Sequence, residues 1–213
     1  MYLAVNTKPD ISHAVTRLSQ YNNCYTDHAW KEAKRVLRYL KETQDFKLSF
    51  KRVSEHCLIG YVDADWGGDK TDRVSFSGLV FKFGDSVISW TSRKQKCVSL
   101  SSTESEYVSN SEPAKEAVYL KSIFAELKIL KNQCVLIHTD NQAAEALAKN
   151  QKFSHKLKHV DIRYHFIRDT INKNKVDLKY LRTDKNIADF LTKPVCKDKH
   201  YFCMKGLGLV PLV

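Results

Sequence analysis

Apolar and polar positions follow two different rhythms along this chain. Up to residue 50 the rhythm is helical. Ile11, Val15 and Leu18 recur at helical spacing behind Pro9-Asp10, which reads as a helix start, and Asn22-Asn23 breaks the pattern. Trp30, Ala33, Val36, Leu37 and Leu40 mark a second apolar stripe, with Lys31, Lys34, Arg35, Arg38 and Lys41 on the other face. From Leu58 the rhythm shortens. Leu58 to Asp63, Ser75 to Phe83 and Ser86 to Val98 are β-prone runs, and the Gly84-Asp85 spacer between the last two predicts a hairpin. A long helix follows from Ser101 to about Leu130, with Pro113 in its interior, where it should kink or restart. Val135 to Asp140 reads as a strand, Asn141 to Ala148 as a helix, Val176 to Leu181 as a strand and Asn186 to Lys193 as a short helix. The tail from Pro194 reads as irregular. This order predicts an α/β domain over 56–194 with a mixed five-stranded sheet flanked by helices, a small helical extension over 1–52 and a tail over 195–213.

Composition sharpens the picture in three ways. At 213 residues, with 43% hydrophobic and 11% aromatic positions, the chain can bury a full core, which excludes a disordered tail. The net charge of +11 suggests a polyanionic partner, and between residues 150 and 200 thirteen Lys and Arg stand against six Asp and no Glu. The six cysteines are scattered without a C-x-x-C pair, which fits reduced thiols in an intracellular protein and argues against a structural zinc site. No signal-peptide pattern and no run of about 18 apolar residues is found, so no membrane partner is expected.

The candidate chemistry lies in acids at the ends of elements. Asp63 and Asp65, two apart on a strand, share a face and compete for one role. Glu104 and Glu106 both match capping-box spacing with Ser101 and Thr103, and on a helix they point about 200° apart, so only one can serve a site. Asp140 ends a strand and opens onto a helix, where an ordinary N-cap role competes with a functional one. Asp189 sits inside the last helix, where an acid is mildly unfavourable. If the first and fourth strands are parallel neighbours, their C-terminal ends meet and these acids converge. Such a cluster repels itself unless divalent cations neutralise it, and hard oxygen ligands suit Mg²⁺ or Mn²⁺. Two such ions can activate a water and stabilise the leaving oxygen of a phosphodiester. His155 and His159 share a helical face but lack a third metal ligand at a helpful spacing. Lys94 and Lys96, and the basic, aromatic-bearing segment from Lys152 to Lys175, read either as phosphate contacts or as solvated surface.

Five ordered motifs resemble a known family. Tyr-Val-Asp-Ala-Asp-Trp-Gly-Gly at 61–68, Ser-Ser-Thr-Glu-Ser-Glu-Tyr at 101–107, Thr-Asp-Asn-Gln at 139–142, Lys-His-Val-Asp-Ile-Arg-Tyr-His-Phe-Ile-Arg at 158–168 and Ile-Ala-Asp-Phe-Leu-Thr-Lys-Pro at 187–194 look like the ribonuclease H domain of Copia-type LTR-retrotransposon Pol polyproteins. Residues 1–50, through Thr-Lys-Pro-Asp-Ile-Ser-His-Ala-Val and Lys-Arg-Val-Leu-Arg-Tyr-Leu-Lys, resemble the end of the reverse transcriptase and its connection. The resemblance implies an RNase H-like fold and cleavage of the RNA strand of an RNA–DNA hybrid during reverse transcription. It also implies two Mg²⁺ or Mn²⁺ ions held by Asp63, Glu106, Asp140 and Asp189. Asp63 is preferred to Asp65 because it lies further into the apolar strand, and Glu106 to Glu104 because Glu-Tyr-Val leads the helix as the family's glutamate does. Lys94, Lys96, Asn141, Lys158, His159 and Arg163 are the candidate nucleic-acid contacts. The implied partners are the hybrid and the reverse transcriptase of a parent polyprotein, and the implied location is a cytoplasmic virus-like particle, with the nucleus as the alternative.

One departure stands out. The loop before the last acid, Leu181 to Asn186, lacks the histidine that many cellular ribonucleases H carry there. The chain also has no polymerase palm, protease or integrase motif, so a fragment or remnant of a longer polyprotein is expected. The rival reading is a non-catalytic module that binds nucleic acid or tethers the polymerase. A strand-transfer enzyme on the same architecture needs Asp, Asp and then a late Glu, and the order of acids here disfavours it.

Overall fold

The computed structural model describes residues 1–52, 56–66, 74–95, 102–130, 133–142, 145–146 and 161–211, with the side chains of 102–110 and 161–165 left aside. Five strands form the central sheet: β2 (Leu58–Asp65), β3 (Phe76–Phe83), β4 (Ser86–Lys94), β5 (Val135–Thr139) and β6 (Val176–Tyr180), in the order β4-β3-β2-β5-β6. β2, β3 and β4 are antiparallel, whereas β5 and β6 run parallel to β2. The hairpin turn falls at Gly84-Asp85, and Gly84 adopts φ +57°, a left-handed conformation that costs glycine little.

The sheet is buried on both faces. On one, Val62, Phe81, Ile137 and Leu178 pack with Ala114 and Ala117 of helix α4 (Ser102–Glu126) and Ile167 of helix α5 (Asp161–Asn172). Pro113 lies inside α4, which runs as one continuous 25-residue helix rather than restarting there. On the other face, Val80 and Val87 pack against Ile187, Ala188, Phe190, Leu191, Cys203 and Leu207. This second layer comes from the very stretch read as a short helix and an irregular tail. Residues Asp189–Leu191 form a single 3₁₀ turn, and the tail contains helix α6 (Lys197–Gly206) and strand β7 (Leu209–Pro211). β7 pairs antiparallel with β1 (Phe46–Leu48), which precedes the sheet.

The first residues form α1 (Tyr2–Asn6), a 3₁₀ turn at Pro9–Ile11, α2 (Ser12–Ser19) and α3 (Asp27–Glu42), more pieces than the two helices expected. Thr26 caps α3 by accepting from Ala29 N at 3.1 Å. These helices cover the β4 edge: Trp90 Nε1 donates to Ala4 O at 2.7 Å and Thr16 Oγ1 to Ser92 O at 3.1 Å. Tyr39 of α3 donates to Asp10 Oδ2 at 2.6 Å. The apolar stripe of α3 is only partly covered. Trp30 and Leu37 remain exposed, because the packing face is set instead by Ala29 and Tyr39. Among the described residues no helix is long and apolar enough to cross a membrane, and the five described cysteines are free thiols.

Candidate active site

Strand register places the first two acids. Val62 pairs with Thr139 in the parallel β2–β5 ladder, so Asp63 and Asp140 are the next residues along neighbouring strands at the C-terminal end of both. Asp63 is almost wholly buried, and Asp65 is only partly so.

The third acid is delivered by a segment laid flat on the sheet. Asn186, fully buried, donates through Nδ2 to Val62 O at 2.9 Å and accepts from Ala188 N at 3.1 Å. Ser92 Oγ donates to Leu191 O at 2.6 Å. Gly78, opposite Asp63 in the β2–β3 ladder, allows the close approach: a Cβ there would stand 2.8 Å from Leu191 Cβ, 2.9 Å from Thr192 Cγ2 and 3.1 Å from Ala188 O. The segment therefore lies against bare backbone, and Asp189 arrives beside Asp63.

Lys193 shows the convergence directly. Its Nζ stands 2.5 Å from Asp189 Oδ1 and 3.7 Å from Asp63 Oδ2. Thr192 Oγ1 contacts both Asp63 Oδ2 and the Asp189 carbonyl. Lys199 of α6 lies 3.6 Å from Asp189 Oδ2 and donates to the carbonyls of Thr183 and Asp184 at 2.6 and 2.9 Å. Thr183 donates to Asp140 Oδ2 at 2.9 Å, while Asp140 Oδ1 is buried with no hydrogen-bond partner among the described residues.

The charges are tightly linked. Burial pushes the Asp63 carboxyl up to about 7, reinforced by Asp140 and Asp189 and opposed by Lys193 and the Thr192 hydroxyl. Burial works against the Lys193 ammonium, but Asp63, Asp189 and Asp140 more than offset it and hold its pKa above the ordinary lysine value. Burial also raises Asp65, with Lys193 and Arg17 opposing it.

Asp63, Asp140 and Asp189 thus share one site. Glu104 and Glu106 lie on α4 and Arg163 on α5, but their side chains fall outside the described residues, as do Lys96, Lys158, His155 and His159 entirely. Lys94 donates to Gln20 Oε1 at 2.8 Å, at the end of β4 next to the first helices. Asn141 N donates to Thr139 Oγ1 at 3.4 Å, directly after Asp140. Sequence reasoning missed Thr183, Thr192, Lys193 and Lys199. Thr192 and Lys193 were within reach, since they stand three and four residues after Asp189 in one motif.

A divalent ion suits this donor set: three hard carboxylates, two of them, Asp140 and Asp189, with a buried Oδ1 that has no hydrogen bond among the described residues, the Asp189 oxygen facing the Lys193 ammonium. Among the described residues no three such groups are gathered closely enough to hold an ion by themselves. What stands between Asp63 and Asp189 is the Lys193 ammonium.

A sheet ordered β4-β3-β2-β5-β6, antiparallel on one side and parallel on the other, defines an RNase H-like fold. The comparisons with known proteins narrow the class further. The chain is 39% identical over 209 residues to a retrovirus-related Pol polyprotein from transposon TNT 1-94 of Nicotiana tabacum, covering 98% of this chain and 16% of that protein. It is 41% identical over 209 residues to the Pol polyprotein from transposon RE2 of Arabidopsis thaliana, covering 98% of this chain and 14% of that one. Over 98% of its length the chain is similar to retrovirus-related Pol polyproteins of transposons, and it spans 16% and 14% of the length of these two relatives. Among solved structures, LC11-RNase H1 from compost resembles it at 12% identity with a TM-score of 0.45, over 65% of this chain and 94% of that one. No family model matches.

Proposed function

We propose that this chain hydrolyses the RNA strand of RNA–DNA hybrids as the ribonuclease H part of a Copia-type Pol polyprotein. The observation that carries the reading is the convergence of Asp63, Asp140 and Asp189 at the C-terminal ends of β2 and β5, in a chain similar to Pol polyproteins of transposons. Asp63, Asp140 and Asp189, joined by Glu106 on the motif of α4, would hold two Mg²⁺ or Mn²⁺ ions, which supply an activated water and charge stabilisation for the leaving oxygen. The remaining work belongs to the protein. Asn186, Ser92 and Gly78 fix the Asp189 segment on the sheet. Thr192 orients Asp63, and Thr183 orients Asp140 so that its second oxygen stays open. The net charge of +11 favours a phosphate backbone, and the 2′-hydroxyl would distinguish the RNA strand. The polymerase part of the parent polyprotein would supply the hybrid, in a cytoplasmic particle.

The test is cleavage of a hybrid labelled on its RNA strand, with single-stranded RNA and duplex DNA as controls. Wild-type protein should cut only the hybrid, and only with Mg²⁺ or Mn²⁺. Asp140→Asn should abolish the cut without unfolding the protein. Retained activity in that variant would remove Asp140 from the site. One observation favours a second reading, a module that binds without cutting: an ammonium already sits between two of the carboxylates. Hybrid binding with a steep salt dependence and no cleavage at any metal concentration would establish it.

A further inference from the structure

The cation between Asp63 and Asp189 is supplied by the chain itself. Lys193 Nζ contacts Asp189 Oδ1 and Asp63 Oδ2, the carboxylates to which the proposed function assigns divalent ions. Two cations cannot share those oxygens without strong repulsion.

The two lysines at the site are held differently. Lys199 is anchored by the carbonyls of Thr183 and Asp184, so its position does not depend on Asp189. The described contacts of the Lys193 ammonium are the carboxylates themselves. Its side chain is about a third exposed, and it lines a cavity of about 640 Å³ between the first helices and the segment from Phe190 to Val195, beside Arg17, Tyr39 and Pro194. The lysine is therefore held by the carboxylates that a divalent ion would take, and it has somewhere to go when they are taken.

We propose that Lys193 is a resident counter-ion of the carboxylate site, holding Asp63 and Asp189 together in the metal-free protein and yielding its place when a divalent cation binds. The inference rests on the metal-dependent reading above. Lys193 is a positioning residue: it keeps the buried acids compatible with folding before metal arrives, and it sets the metal concentration at which the site fills.

The test is Mn²⁺ binding to the full chain without nucleic acid, read from the electron paramagnetic resonance signal of the free ion. Lys193→Met should bind Mn²⁺ about tenfold more tightly than wild type, because one competing charge is gone, and Lys193→Arg should stay near the wild-type affinity. In chelator the Lys193→Met protein should unfold at lower temperature than wild type, and Mn²⁺ should close that gap. A folded Lys193→Met protein that binds Mn²⁺ no more tightly than wild type overturns the proposal. If that variant does not fold, the wild-type chain decides: the ¹⁵N signal of the Lys193 ammonium should shift on Mg²⁺ addition, and a signal unmoved while the ion binds overturns it too. Hybrid cleavage with unchanged Lys193→Met affinity sinks this inference alone. Absence of Mn²⁺ binding in every variant sinks it together with the proposed function.

Discussion

Asp63 carries the conflict at the heart of this molecule: it is buried almost completely, yet the proposed chemistry needs it ionised. Its carboxyl is pushed up to about 7, against 3.8 for an ordinary aspartate. Between those values the folded protein keeps a proton that the unfolded chain has released. Stability from this group is therefore greatest in acid and falls as pH rises toward about 7, then levels off. His13 acts in the opposite sense. Burial, followed by the charge of Arg17, lowers it from 6.5 to about 4, so its contribution is complete above 6.5 and is lost as pH falls through that window. Urea unfolding in chelator separates the two. Wild-type stability should carry a fall from Asp63 as pH rises toward about 7, set against the gain from His13, and Asp63→Asn should lack that fall. An identical drop in both proteins would show that another group causes it.

At the scale of elements, the segment from Asn186 to Lys193 decides whether a site exists. Asn186→Ala leaves the Val62 carbonyl and the Ala188 amide short of a buried partner and should cost about 1–3 kcal/mol, measured by denaturant unfolding. Gly78→Ala puts a methyl group within 2.8 Å of Leu191 Cβ and close to the Ala188 carbonyl. It should destabilise the fold by about 1–3 kcal/mol, and activity should fall further than stability alone explains, because Asp189 is pushed off Asp63. Activity that merely tracks the folded fraction would mean that the segment tolerates the shift. The strands here were legible in advance. The apolar runs and the Gly84-Asp85 spacer gave β2 to β5 and the hairpin, since strand periodicity and turn chemistry are local. The 3₁₀ turn at Asp189 was read as a helix because its apolar residues are spaced helically. What sets its shape is the sheet beneath it, which no local pattern encodes.

Across the whole molecule, the parts that sequence reading left loose turn out to be structural. The tail read as irregular supplies Cys203, Leu207 and Leu209 to the interior, and its Lys199 reaches the site. Its Gly-Leu-Gly-Leu composition concealed this, because burial there depends on partners more than a hundred residues away in β1 and β3. The convergence of Asp63 and Asp140 was legible from the parallel-strand argument; Lys193 was within reach in the Asp189 motif, but its place between two acids was not, since a charge in a short motif looks like solvated surface. Deleting residues 207–213 should expose Val80 and Ile187 and lose two buried leucines worth about 1.5–3 kcal/mol each, which a thermal melt would register. An unchanged melting temperature would mean that the tail docks too weakly to matter.

The order in which these pieces leave the ribosome follows from the same arrangement. All five sheet strands are complete by Tyr180, whereas Asp189, Thr192, Lys193 and Lys199 emerge afterwards. A nascent chain can therefore close its sheet and begin to gather its basic surface while the acid cluster is still one member short. On the proposed function, the capacity to grip a nucleic acid would then precede the capacity to cut it, because the segment that carries Asp189 is laid on the sheet only after its strands are made.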